Sequence, residues 1–147
     1  LNTRRAMTLN DPDRLFPAEP GLRDLARGLY DGVRGLPIIS PHGHCDPIWF
    51  AENARFPDPA QLFVVPDHYV FRMLVSQGIS LDALGVPRSD GTRSDADPRD
   101  IWRIFAQNYH LFRGTPSAMW LDHSFEHVFG LFVHNIVRVV DFKTISQ

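Results

Sequence analysis

One cysteine and one lysine in 147 residues are the clearest shortages of this chain. Cys45 alone excludes an intrachain disulfide framework and the cysteine-rich zinc modules, and it suits a reducing compartment. With Lys143 the sole lysine, Schiff-base chemistry and a lysine-derived carbamate ligand have no other residue to use. Long apolar runs are missing as well: nothing reaches the roughly 18 residues of a transmembrane helix. Polar Asn10-Asp11-Pro12-Asp13 follows Arg4-Arg5 where a secretory leader needs its apolar stretch, so the expected location is the cytoplasm, with no membrane partner. Nor does charge of one sign dominate. Fifteen Lys plus Arg against seventeen Asp plus Glu give a net charge of -2, without a basic block dense enough to track a phosphate backbone, which argues against nucleic acid as a partner. The length itself is too short for a complete eightfold β/α barrel, which runs to about 250 residues.

What the chain does have is the composition of a folded protein: 44% apolar residues, with eleven Phe and three Trp. Residues 1–19 are polar and carry Pro12 and Pro17, and they read as an irregular arm. Leu22, Leu25, Ala26, Leu29, Tyr30 and Val33 then recur at the spacing of one helical face, predicting a helix from Pro20 that stops at Gly35. Leu36-Pro37-Ile38-Ile39 is a short apolar run with Pro only near its start, which predicts a buried strand over Leu36 to Ser40. Helix followed closely by buried strand is the local grammar of α/β proteins. Past Trp49-Phe50 the punctuation turns helical. Asp58-Pro59, Asp67, Ser80, Asp97-Pro98 and Thr115-Pro116 are N-terminal caps, with Val70, Phe71, Leu74 and Val75 facing inward from a helix over His68 to Gln77. Ile101, Ile104, Phe105 and Phe112 line the helix from Asp97, the last helix runs to about Phe129, and Trp102 and Trp120 are assigned to the core. Pro87 to Ala96 is a polar loop. The expected layout is thus the arm over 1–19, a first helix and strand over 20–66, a helical subdomain over 67–130 and an atypical tail over 131–147.

The chemistry concentrates at His42-Gly43-His44, at the C-terminal end of the predicted strand. Residues two apart on a strand share a face, so both imidazoles can address one ion or one substrate oxygen, at the strand end where α/β folds build their sites. The plainer reading, two half-exposed histidines in a proline-rich turn, is outweighed by the apolar strand ahead of them. A second candidate is Asp67-His68-Tyr69 with Arg72 one turn on, where a helix N-terminus offers N–H groups and positive partial charge to a carboxylate. From the residues alone a cap, a half-buried aromatic and a solvated arginine are the favoured account. His123 and His127 stand four apart on a helix, a chelating spacing, yet Ser124 occupies the place where the metalloprotease pattern needs Glu. A surface face is the simpler reading there. His110 and His134 have no partner signal, and Cys45 reads as a small packing residue.

These residues resemble a known family. Leu36-Pro37-Ile38-Ile39-Ser40-Pro41-His42-Gly43-His44, then Asp67-His68-Tyr69 with Arg72-Met73-Leu74, then Phe112-Arg113-Gly114-Thr115-Pro116, look like the N-terminal part of the uronate (glucuronate) isomerases of the amidohydrolase superfamily, over roughly Arg14 to Gly130. The resemblance implies the fold class: α/β, the N-terminal part of an amidohydrolase-type (β/α)8 TIM barrel with a mainly helical insert, the barrel being incomplete within these 147 residues. It implies an aldose-ketose isomerase acting on D-glucuronate and D-galacturonate, with no organic cofactor. His42 and His44 match the catalytic His-x-His of barrel strand one, where superfamily members bind a divalent metal, zinc being the first expectation, and His68 and Tyr69 match substrate contacts. A uronate is then the small-molecule partner, and a homo-oligomer is compatible with the class. The same resemblance makes the chain an inactive, truncated segment, its tail after Gly130 departing from the family pattern. Two other readings stay open: a small metal-dependent hydrolase using His42 and His44, which needs a third and fourth ligand, and a non-catalytic helical interaction module.

Overall fold

The computed structural model describes residues 11–40, 42–43 and 46–131. The chain divides into two compact units, Leu1–Gly43 and His44–Gln147.

In the first unit, helix α1 (Pro20–Asp31) starts where proline's fixed φ suits the first helical position. Its cap is Glu19, whose carboxylate accepts from the N–H groups of Gly21 (2.9 Å) and Leu22 (2.6 Å). Those two bonds hold the Glu19 carboxyl below its ordinary pKa. The helix ends at Gly32, a turn before the predicted stop at Gly35. Residues 12–16 form turns, and Asp13 pairs with Arg27, whose guanidinium lies over the Phe16 ring at 5.3 Å. Phe16 in turn meets Tyr30 edge-on at 5.9 Å. The apolar face of α1 is nonetheless uncovered, with Leu25 61% exposed and no residue of the helix buried.

The predicted strand is not formed. Residues 37–40 form no regular element, no ladder hydrogen bond reaches them among the described residues, and Ile38 and Ile39 are 93% and 90% exposed rather than buried. The physical reason is that a strand is a property of a pair: β-branched residues favour the extended backbone, but only a neighbour supplies its hydrogen bonds and its cover. Among the described residues there is no strand, so the barrel expectation has no sheet to rest on here.

The second unit is helical, as its capping residues predict. Asp46 accepts from Ile48 N–H (3.0 Å) ahead of α2 (Ile48–Glu52), which ends on Asn53 in the left-handed region. Asp58 accepts from Gln61 N–H (2.9 Å) and opens α3 (Pro59–Phe63). Asp67 accepts from Tyr69 N–H (2.8 Å) and opens α4 (His68–Val75). Ser80 caps the short 3-10 turn Asp82–Leu84 through Ala83 N–H. Asp97 and Thr115 cap α5 (Pro98–Gln107) and α6 (Pro116–His127). The loop from Pro87 is tied back to that 3-10 turn, where Ser94 Oγ donates to the Asp82 carbonyl (2.6 Å) and Arg88 pairs with the Asp82 carboxylate (3.2 Å). Gly85 closes the turn at φ +72, and a Cβ there would sit 2.5 Å from Ile101 Cδ1, so both conformation and space call for glycine.

The core gathers Phe63 and Val64 from α3, Val70 and Leu74 from α4, Ile101, Trp102 and Phe105 from α5, Phe112, and Leu121 and Phe125 from α6. Three details differ from the sequence reading. Phe112 belongs to a separate 3-10 turn (Tyr109–Phe112) after a break at Asn108, whose side chain donates to the Ile104 carbonyl. Val75 is exposed at the end of α4, and Trp120 is 46% exposed. Phe63 is the hub of the core, with ring centroids 5.4 Å from Phe125, 5.7 Å from Phe129, 5.8 Å from Trp120 and 6.4 Å from Trp102. Phe63→Ala is expected to cost about 3–5 kcal/mol, because it opens a cavity that four rings cannot all collapse into. Thermal unfolding followed by circular dichroism checks this; an unchanged Tm contradicts it.

Tyr109 is half-buried, and its hydroxyl donates to Asp122 Oδ1 at 2.6 Å, joining the 3-10 turn to α6. Burial, then the hydrogen bond and charge of Asp122, push the phenol well above its ordinary pKa. The neutral phenol is thus favoured in the fold. Its contribution is complete below the unfolded-state value of about 10 and is lost as pH rises beyond it. Tyr109→Phe is expected to cost about 1–2 kcal/mol at neutral pH by removing the hydrogen bond to the carboxylate. The loss should shrink in titrations carried above that value, and a pH-independent difference would contradict the pairing.

Candidate functional site

His42 lies in the irregular segment at the end of the first unit, and it is exposed. Ser40 Oγ donates to the His42 carbonyl at 2.7 Å, which fixes the local backbone turn. His44, like Cys45, lies outside the described residues, so the two-residue pairing predicted for His42 and His44 has no geometry here.

His68 and Tyr69 are brought together. They are the first two residues of α4, placed by the Asp67 cap, and their rings stack with centroids 4.4 Å apart at 34°. His68 is half-buried and Tyr69 is 60% exposed. Arg72 is exposed one turn further on, so an imidazole, a phenol and a guanidinium follow one another around the first turn of a helix whose N-terminus carries positive partial charge. Such a surface can orient hydroxyls and attract a carboxylate.

Beside it lies a cavity of about 590 Å³ that sequence reading missed, walled by Trp49, Phe50, Phe56, Leu62 and Trp120, with Asp67 at its edge. Trp49 and Phe56 meet edge-on at 5.0 Å. Asp67 therefore borders the cavity while capping the helix that bears His68 and Tyr69. The Phe- and Trp-rich spacing places Trp120 in the core on sequence grounds, but Leu121 and Phe125, four apart, define the buried face of α6 and leave Trp120 off it.

A catalytic zinc takes three protein ligands and a structural one four. Among the described residues no group of three or more His, Cys, Asp or Glu is placed to hold an ion. The stand-alone hydrolase reading therefore finds no third and fourth ligand grouped with His42 among the described residues. Among the same residues no helix is long and apolar enough to cross a membrane.

Comparison with known proteins gives these features a family. The glucuronate isomerase family profile matches residues 21–140, beyond the Gly130 at which the resemblance was read to end. The uronate isomerase of Xanthomonas axonopodis pv. citri (strain 306) is 66% identical over 120 residues, covering 82% of this chain and 25% of that protein. That of Phenylobacterium zucineum (strain HLK1) is 60% identical over 130 residues, covering 88% of this chain and 27% of that protein. In three dimensions the chain is similar to the crystal structure of glucuronate isomerase from Caulobacter crescentus, with a TM-score of 0.82 and 54% identity over 94% of this chain and 29% of that one. The proteins matched are isomerases of uronates, as those names state. This chain belongs to the glucuronate isomerase family, and it spans about a quarter of the length of the curated relatives it matches.

Proposed function

We propose that the chain supplies the N-terminal part of a uronate isomerase, which converts D-glucuronate to D-fructuronate and D-galacturonate to D-tagaturonate. The observation that carries the reading is the family match over residues 21–140, a span that contains His42, His44, His68 and Tyr69. In the complete enzyme residues 36–40 become the first strand of an amidohydrolase-type (β/α)8 barrel, within a segment over 20–66, with 67–130 as the helical insert. The bare side chains of Ile38 and Ile39 support this, since an apolar first strand without its neighbours leaves such residues uncovered.

The chemistry needs a proton taken from C2 of the open-chain uronate and returned at C1, while the proton on O2 ends on O1. It therefore needs a base, a polarised carbonyl, stabilisation of the enediolate between the two steps, and an anchor for the distant carboxylate. His42 and His44 are assigned to the reacting oxygens, as hydrogen-bond partners or as two donors toward a divalent ion, zinc first. Two donors alone do not complete a metal's shell. His68 and Tyr69 are assigned to the substrate, where a stacked imidazole and phenol on a helix N-terminus hold hydroxyls in one orientation.

The test is a chimera in which residues 21–140 of this chain replace the matching segment of the Phenylobacterium zucineum enzyme. Turnover of glucuronate of the same order as the parent is expected. A soluble, folded chimera without turnover would contradict the proposal.

A further inference from the structure

We propose that His123 and His127 form a transition-metal site, a bis-imidazole chelate at the C-terminal end of α6 that takes an imidazole-preferring divalent ion of the copper(II) or nickel(II) type. Residues four apart on a helix stand one above the other on the same face. Both imidazoles are exposed on α6, so an ion reaches them without disturbing the core. Their ring centroids are already 4.5 Å apart at an interplanar angle of 48°.

That separation is one that a shared ion can bridge. Two imidazoles bound to one ion through nitrogens about 2.1 Å from it have ring centres roughly 4.6–5.3 Å apart. The shorter end corresponds to two ligands at a right angle, the arrangement of adjacent positions in a tetragonal ion, whereas tetrahedral zinc spreads the rings further. The intrinsic order of affinities for nitrogen ligands also favours copper and nickel. The helix adds a field of the right sign. His127 is the last residue of α6, at the helix end that carries negative partial charge, and Glu126 Oε2 lies 3.8 Å from His127 Nε2. Water fills the remaining positions of the ion. Bound there, the ion clamps the last turn of α6, just ahead of Leu131, whose N–H donates back to the Phe125 carbonyl at 2.7 Å.

This site is independent of the isomerase assignment of His42 and His44, and the experiment separates them. In the whole chain carrying His42→Asn and His44→Asn, calorimetric titration with nickel(II) should reveal one site. Adding His123→Asn or His127→Asn should weaken it at least tenfold, since even partners that only orient a metal ligand are worth about 10–100-fold. Unchanged affinity in those variants, or no site in the double-substituted background, overturns the proposal. A second measurement uses the unsubstituted chain: substoichiometric copper(II) should broaden the imidazole resonances of His123 and His127 together. Broadening that spares this pair overturns the proposal equally.

Discussion

The purified 147-residue chain is expected to produce no measurable fructuronate from glucuronate. Isomerisation through an enediolate needs several groups converging on one small molecule, held to within about half an ångström by their supporting shell. The described residues gather only part of such a set: His68 stacked on Tyr69, with Arg72 a turn away, and His42 at the end of the other compact unit. No group of three metal-binding side chains assembles among them, and the relatives with the named activity are about four times longer than the segment shared with them. An uncovered apolar surface over Leu22, Leu25, Ile38 and Ile39 predicts self-association of the same material. A coupled assay for fructuronate, run beside a full-length relative and with the chain's mass verified, decides the matter. Turnover comparable to the relative would mean that a complete site exists within these residues, and light scattering that found only monomer would remove the argument from the exposed face.

Local chemistry was legible in the sequence, and long-range chemistry was not. Asp58, Asp67, Asp97 and Thr115 were identified as caps because a cap is satisfied within three residues, and each accepts the expected backbone N–H. Ile101, Phe105 and Leu74 were placed inside for the same reason, since a helical face is defined by its own spacing. The failures sit where a partner outside the window decides. Leu36 to Ser40 has the composition of a strand, yet pairing depends on a neighbour that no local pattern encodes. Trp120 lies on the same helix as buried Leu121 and Phe125 but turns toward Trp49 and Phe56, some sixty to seventy residues earlier in the chain. The cavity they share is a tertiary object, made where α2, α3 and α6 meet, and nothing in any one of those segments announces it. Of the candidate site, His68 and Tyr69 are legible as chemistry only through the family resemblance; their residue types alone favour a cap and a half-buried aromatic, and the structure shows that cap, Asp67 accepting from Tyr69 N–H.

Replacing His42 and His44 together by asparagine, in the chimeric full-length enzyme that carries residues 21–140 of this chain, is expected to lower kcat for glucuronate by at least about a hundredfold. Asparagine keeps hydrogen-bonding capacity and approximate size while removing an imidazole's ability to exchange a proton or to coordinate an ion strongly, so the change isolates that chemistry. If the pair acts on oxygens that gain charge on the way to the enediolate, kcat and kcat/KM should fall together, since the lost interaction is made in the transition state rather than with the bound sugar. A rise in KM at constant kcat would instead make the pair a binding element, and the assignment to the reacting oxygens would be wrong. Stability separates chemistry from damage: His42 is exposed in a loop, so its replacement should stay within about 0.5 kcal/mol of the parent. The single His42→Asn variant should therefore unfold at the parent's Tm while already losing much of the turnover. An active, stable double variant would move the catalytic groups of this enzyme elsewhere, and the natural place to look next is the stacked imidazole and phenol of His68 and Tyr69 at the start of α4.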